Sequence, residues 1–141
     1  MIIGKTMKNI MSKKIIIVFF LVLISNAIFS KENSKTLKFE KGKISTIAQS
    51  VVIRGERDVY LFSAKPGQRI SIAITSLEDN AVFEFLYQKN GVWEVYKGTQ
   101  EARVWYGGLP KSESNSFKIK VGGTRGNASY ELFVGISVVD Y

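Results

Sequence analysis

A period of two runs through most of this chain from Thr36 onward. Ile70, Ile72 and Ile74 are separated by single residues, as are Phe117, Ile119 and Val121, and then Tyr130, Leu132, Val134 and Ile136. Successive side chains of a strand point to opposite faces, so this spacing gives strands with one apolar face. Ile44, Val51 and Ile53 sit among Ser, Thr and Gln, and Val59-Tyr60-Leu61-Phe62 and Val104-Trp105-Tyr106 are rich in branched and aromatic residues, which suit strands. Asn90-Gly91 lies between the apolar run Ala81 to Tyr87 and Val92-Trp93-Glu94-Val95-Tyr96, the pattern of a hairpin closed by a type I′ turn. Lys65-Pro66-Gly67-Gln68 has Pro where φ is preset and Gly where φ must be positive, which predicts a type II turn. No segment holds a helical period. Seven to nine short strands with turns every 8 to 12 residues or so predict an all-β fold, a single antiparallel β-sandwich of jelly-roll-like form over residues 36–141.

Before the strands lies a different kind of segment. Lys13 and Lys14 precede an unbroken apolar run from Ile15 to Ile24, followed by Ser25-Asn26-Ala27-Ile28-Phe29-Ser30. This is the order of a secretory signal peptide over residues 1–30, with cleavage after Ala27 or Ser30. The run is too short for a membrane span, which needs about 20 residues. Residues 31–35 are polar and are expected to form a flexible tail. The mature chain is expected to be periplasmic or secreted, with no stable membrane insertion.

The leader holds four of the 20 basic residues and none of the 12 acidic ones, so the net charge of +8 drops to +4 for residues 31–141 (16 basic against 12 acidic). Basic and acidic residues alternate along the strands, unlike the clustered basic face of a nucleic-acid binder, so no nucleic-acid partner is expected. The chain has no cysteine. An exported domain of this kind must therefore rely on core burial, and about 110 residues can bury roughly two-thirds of their unfolded surface. It also has no histidine, which removes the commonest general base and metal ligand. No D-x-D-x-D-G calcium loop is present, and neither a metal nor a cofactor is expected.

Paired carboxylates offer one catalytic route without histidine. Glu78 and Asp79 are neighbours in a turn, and Glu94 and Glu101 flank a loop, yet nothing in the sequence places a substrate between either pair. The chain is read as a binding protein and not as an enzyme. Trp93, Trp105 and Tyr106 are candidates for stacking on sugar rings of peptidoglycan or another polysaccharide, although large aromatics on strands more often fill cores. Tyr106 should face opposite to Trp105, which brings one of them to the surface. The stretch Gly122-Gly123-Thr124-Arg125-Gly126-Asn127 lets the backbone bend tightly while Thr124 and Arg125 project. It is either a plain hairpin turn or a loop that offers a guanidinium to a partner's carboxylate.

The series Phe39-Glu40-Lys41-Gly42, Tyr60-Leu61-Phe62-Ser63-Ala64-Lys65-Pro66-Gly67-Gln68 with Ile70-Ser71-Ile72, Gly108-Leu109-Pro110 and Thr124-Arg125 resembles the periplasmic inhibitors of g-type lysozyme. It also resembles the wider bacterial pre-peptidase C-terminal β-sandwich domains. The resemblance spans nearly the whole mature chain and implies a protein that blocks the active-site cleft of g-type lysozyme, with Arg125 directed at the enzyme's acidic centre. On that reading Thr124, Gly126 and Asn127 shape the loop. A second Arg expected four residues after Arg125 is Ser129 here, and an aromatic expected after the earlier turn glycine is Glu56, flanked by Arg54 and Arg57. The alternative is a carbohydrate-binding or envelope-associated module without catalytic activity.

Overall fold

The computed structural model describes residues 30–137. Nearly all of the expected leader and the last four residues lie outside that range. Nine strands run in order: β1 Glu32–Thr36, β2 Ser45–Val52, β3 Arg57–Ser63, β4 Arg69–Ser76, β5 Ala81–Lys89, β6 Val92–Val95, β7 Val104–Gly108, β8 Ser116–Gly123 and β9 Ala128–Ser137. A single 3-10 turn, Glu113–Asn115, precedes β8. The strands form two sheets, one ordered β1-β3-β8-β5-β6 and the other β2-β9-β4-β7. The alternating inward residues of both sheets make one core that includes Phe83, Phe85, Phe117, Ile119, Ile70, Ile72 and Leu132. The all-β sandwich expected from the alternation is therefore the fold.

Two turns form as their residues dictate. Asn90 and Gly91 have φ of 52° and 75°, both positive as a type I′ turn demands, and β5 and β6 pair from Lys89↔Val92 to Leu86↔Val95. Gly67 has φ of 87°, and the Gln68 amide donates to the Lys65 carbonyl at 3.3 Å. A Cβ at Gly91 would meet open space, so alanine there is penalised only through its backbone. Gly91→Ala is expected to cost about 1 kcal/mol. Thermal unfolding should show this as a melting temperature lowered by roughly 4–8 °C.

The β5–β6 pair is the one hairpin among the described residues; every other connection carries the chain to the opposite sheet. The glycine-rich stretch is thus an arch from β8 in one sheet to β9 in the other, which corrects the expectation of a hairpin turn. Its second glycine is required by a close approach of backbone, whereas the first is opposed only by the flexible Arg57 side chain. A Cβ on Gly123 would lie 2.7 Å from the Gly126 carbonyl oxygen, and one on Gly122 would lie 2.8 Å from Nε of Arg57.

Residues 31–35, expected as a tail, provide most of β1, which pairs in parallel with β3 from Glu32↔Arg57 to Thr36↔Leu61. This is the one parallel pair among the described residues, in an otherwise antiparallel arrangement. The strand is polar because it sits at a sheet edge, held by backbone pairing and by polar side chains. Glu32 pairs with Lys120 at 2.7 Å, and Asn33 Nδ2 donates to Glu56 at 3.0 Å. Behind it the chain turns at Lys41-Gly42 and buries Leu37 against the core.

At one end of the core lies a polar network. Asp58 is buried and accepts from the Tyr130 hydroxyl at 2.6 Å, and the Tyr130 and Tyr60 hydroxyls are 2.5 Å apart. Burial raises the pKa of both phenols above the ordinary tyrosine value, and the bond to Asp58 pushes Tyr130 further in the same direction. Both rings keep their protons across the physiological range, which suits Tyr130 as the donor to the carboxylate.

Candidate functional site

Three connections meet at one end of the sandwich: β2 to β3, β4 to β5, and the β8–β9 arch. Asn80, the last residue before β5, joins two of them. It is 1 % exposed, and its Nδ2 donates to the carbonyls of Arg125 and Asn127, both at 3.0 Å. Its own carbonyl accepts from the Thr124 amide at 2.8 Å, and its amide donates to Ser76 Oγ at 2.8 Å. The third connection is tied in by Asn127, whose Oδ1 accepts from the Arg54 amide at 2.8 Å. A buried amide satisfied on all of these sides fixes the arch backbone, because breaking one contact strands a polar group away from water.

On this frame Arg125 is exposed, with Nη2 donating to the Glu78 carbonyl at 2.7 Å. That bond orients the guanidinium toward the β4–β5 turn and uses one of its five donors. Arg54 is also exposed. Beside them Arg103 forms an ion pair with Asp79 and donates from Nη2 to the Asp79 carbonyl at 2.9 Å. Asn127 serves as a tie between connections, while Thr124 and Gly126 lie exposed on the arch, Gly126 with φ of 62°.

Arg57 is placed differently. Its guanidinium lies flat over Gly122 on the outer face of the first sheet and donates to the Glu56 carbonyl at 2.8 Å. There it borders a cavity of about 270 Å³ shared with Glu84, Glu101, Lys120 and Thr124. Glu56, which stands where the resemblance expects an aromatic, turns back toward β1. Its carboxylate accepts from Asn33 and lies 3.8 Å from Lys31 Nζ.

The three aromatic candidates are not brought together. Trp105 points inward, with its ring centroid 5.4 Å from that of Phe85 and 5.2 Å from that of Tyr96. Tyr106 faces out from the second sheet with the Arg69 guanidinium 4.6 Å over its ring. Trp93 lies on the first sheet, with Lys118 Nζ 4.3 Å over its ring. Nor do the candidate carboxylates share one setting. Glu94 accepts from the Tyr87 hydroxyl at 2.9 Å and thereby raises the pKa of that phenol, whereas Glu101 borders the Arg57 cavity. Among the described residues no group of three or more Asp or Glu side chains is placed to hold a metal ion.

Asn80 and Arg103 are the residues that sequence reading passes over. Asn80 stands in Glu78-Asp79-Asn80, which reads as an ordinary solvated turn. The only local hint is its position directly before the apolar run of β5.

The fold and this clamped end define a two-sheet β-sandwich domain with three connections gathered at one end. Among solved structures it is similar to a periplasmic lysozyme inhibitor of g-type lysozyme from Aeromonas hydrophila, at 24 % identity and a TM-score of 0.61 over 76 % of this chain and 98 % of that one. The corresponding inhibitor from Salmonella Typhimurium matches at 20 % identity and a TM-score of 0.57, over 74 % of this chain and 98 % of that one. The pre-peptidase C-terminal domain of a Bacillus anthracis collagenase matches at 14 % identity and a TM-score of 0.50, over 78 % and 98 % of the two chains. These likenesses are of fold. No family model and no curated protein matches the chain.

Proposed function

We propose that this protein is an exported inhibitor of g-type lysozyme, acting in the periplasm or after secretion, that engages the enzyme's active-site cleft with the β8–β9 arch. The observation that carries the reading is the exposed Arg125 on an arch whose backbone is clamped by the buried Asn80. A preformed loop loses little conformational entropy on docking, and a guanidinium recognises a carboxylate with paired, directional hydrogen bonds. The extent of the fold likeness to two inhibitors of g-type lysozyme, nearly the whole of each, supports the same reading. Arg54 is a neighbouring contact; Arg57, laid back over the sheet, supports the arch from behind.

The test is lysis of a peptidoglycan suspension by purified g-type, c-type and i-type lysozymes in the presence of residues 31–141. Selective nanomolar inhibition of the g-type enzyme is expected. Inhibition of none of the three would overturn the reading and leave a module that binds peptidoglycan or another polysaccharide. Within the g-type complex, Arg125→Ala should weaken binding by at least ~30-fold, the equivalent of about 2 kcal/mol for a central charged contact. Its circular dichroism and melting temperature should stay at the wild-type values, because the side chain is exposed. Unchanged affinity would remove Arg125 from the mechanism.

A further inference from the structure

We infer that the outer face of the second sheet is a self-association surface on which two copies of this chain pack face to face. One outward apolar residue from each strand falls in a single row across that face. The register pairs Ile47 with Phe133, Phe133 with Ala73, and Ala73 with Val104. Ile47, Phe133 and Val104 are 61 %, 38 % and 72 % exposed. Over most of β2 the usual amphipathicity is reversed: Ile47 and Val51 face out while Thr46, Ala48 and Ser50 face the core side, with Val52 at its end the one large apolar residue turned inward. Folding of one copy gains nothing from that arrangement, whereas a second layer over the face would bury the row.

The charges on the face select the second copy as the occupant. The outward positions of the four strands carry one base, Arg69 on β4, and one acid, Glu131 on β9. They lie on opposite sides of the apolar row. Within one chain they cannot meet: Arg69 pairs in register with Ser137, six residues from Glu131, which is about 20 Å along a strand. A two-fold axis along the apolar row carries Arg69 of one copy to the Glu131 side of the other. The two Cα positions are then offset by about 7 Å along the strands, one strand spacing, ~4.8 Å, across them and about 10 Å between the sheets, within the joint reach of the two side chains once Arg69 turns from the Tyr106 hydroxyl and Glu131 from Gln49. A two-fold axis along the strands would instead set like charges beside each other. The face is therefore self-complementary in one orientation, as an isologous interface requires. Four strands of this length span roughly 20 by 26 Å, the small end of specific interfaces, so the dimer is weak and concentration-dependent. Its two arches point away from each other, so the proposal does not depend on the inhibitor reading.

Sedimentation velocity of residues 31–141 from ~1 µM to ~1 mM, the range of a weak interface, should show the mass rising from one copy toward two. Val104→Glu, and independently Ile47→Lys, should hold the chain at a single-copy mass with an unchanged circular dichroism spectrum. R69E and E131R should each weaken association by about tenfold or more, and the double swap R69E/E131R should restore it. The restoration arises only between copies, given the separation within one chain. A single-copy mass at every concentration, a dimer indifferent to both apolar-row variants, or a double swap no better than its singles would each overturn the inference. A wild-type chain that stays single but pellets with phosphatidylglycerol vesicles would overturn it in favour of a membrane surface.

Discussion

Phe85→Ala is expected to destabilise the fold by about 3–5 kcal/mol, the range for deleting a fully buried aromatic ring. Phe85 is 0 % exposed and stands where both sheets meet the aromatic cluster. Its ring centroid lies 5.5 Å from that of Phe117, 5.4 Å from Trp105, 6.0 Å from Tyr96 and 6.4 Å from Phe62. Those rings come from four other segments that are paired or packed around β5, so none can collapse into the hole without moving its own strand. Its amide donates to Thr99 Oγ1 at 3.1 Å, which fixes the loop before β7 to the same strand. Without disulfides a domain has only about 5–15 kcal/mol in total, so the variant should be near the limit of folding. Urea unfolding would read the effect as a lower midpoint at unchanged slope. A loss below ~1 kcal/mol would mean that the cluster is not packed as a single core.

Asn80→Ala is expected to cost about 2–3 kcal/mol and to loosen the arch at the same time. The substitution removes the two bonds to the Arg125 and Asn127 carbonyls and leaves both without that donor. The backbone bond from Thr124 to the Asn80 carbonyl remains, but on a frame that has lost its side-chain tie. Amide exchange at Thr124 should quicken while Ile119 and Leu132 in the strand centres stay protected. If the arch binds lysozyme as proposed, inhibition should weaken by at least tenfold, because a mobile Arg125 must be ordered on docking. A variant with wild-type stability and unaltered exchange at Thr124 would show that the arch is held by its glycines alone.

Much of the site was legible only in pieces. Thr124, Arg125, Gly126 and Asn127 stand out in the sequence because glycine and asparagine cluster there. Which other loops lie against them is settled by contacts between residues 45 and 47 positions apart from Asn80, and 73 apart for Arg54 and Asn127. A short-range pattern carries no trace of such pairs. Trp93, Trp105 and Tyr106 likewise share residue type, yet their separation onto two sheets and three surroundings follows from topology.

What the sequence determined by itself is local: the alternation that makes strands, and the positive φ at Gly67 and Gly91 that makes two turns, since both arise from sterics within a few residues. The tertiary structure decided the rest. Residues 32–36 became a parallel edge strand because backbone groups of β3 offered partners that polar side chains do not forbid. Ile47 and Val51 of β2 face outward, with Val52 alone of its large apolar residues in the core, because its register is set by β9, from Ser45↔Gly135 to Val52↔Ala128, and a period of two says which residues share a face but not which face meets the core.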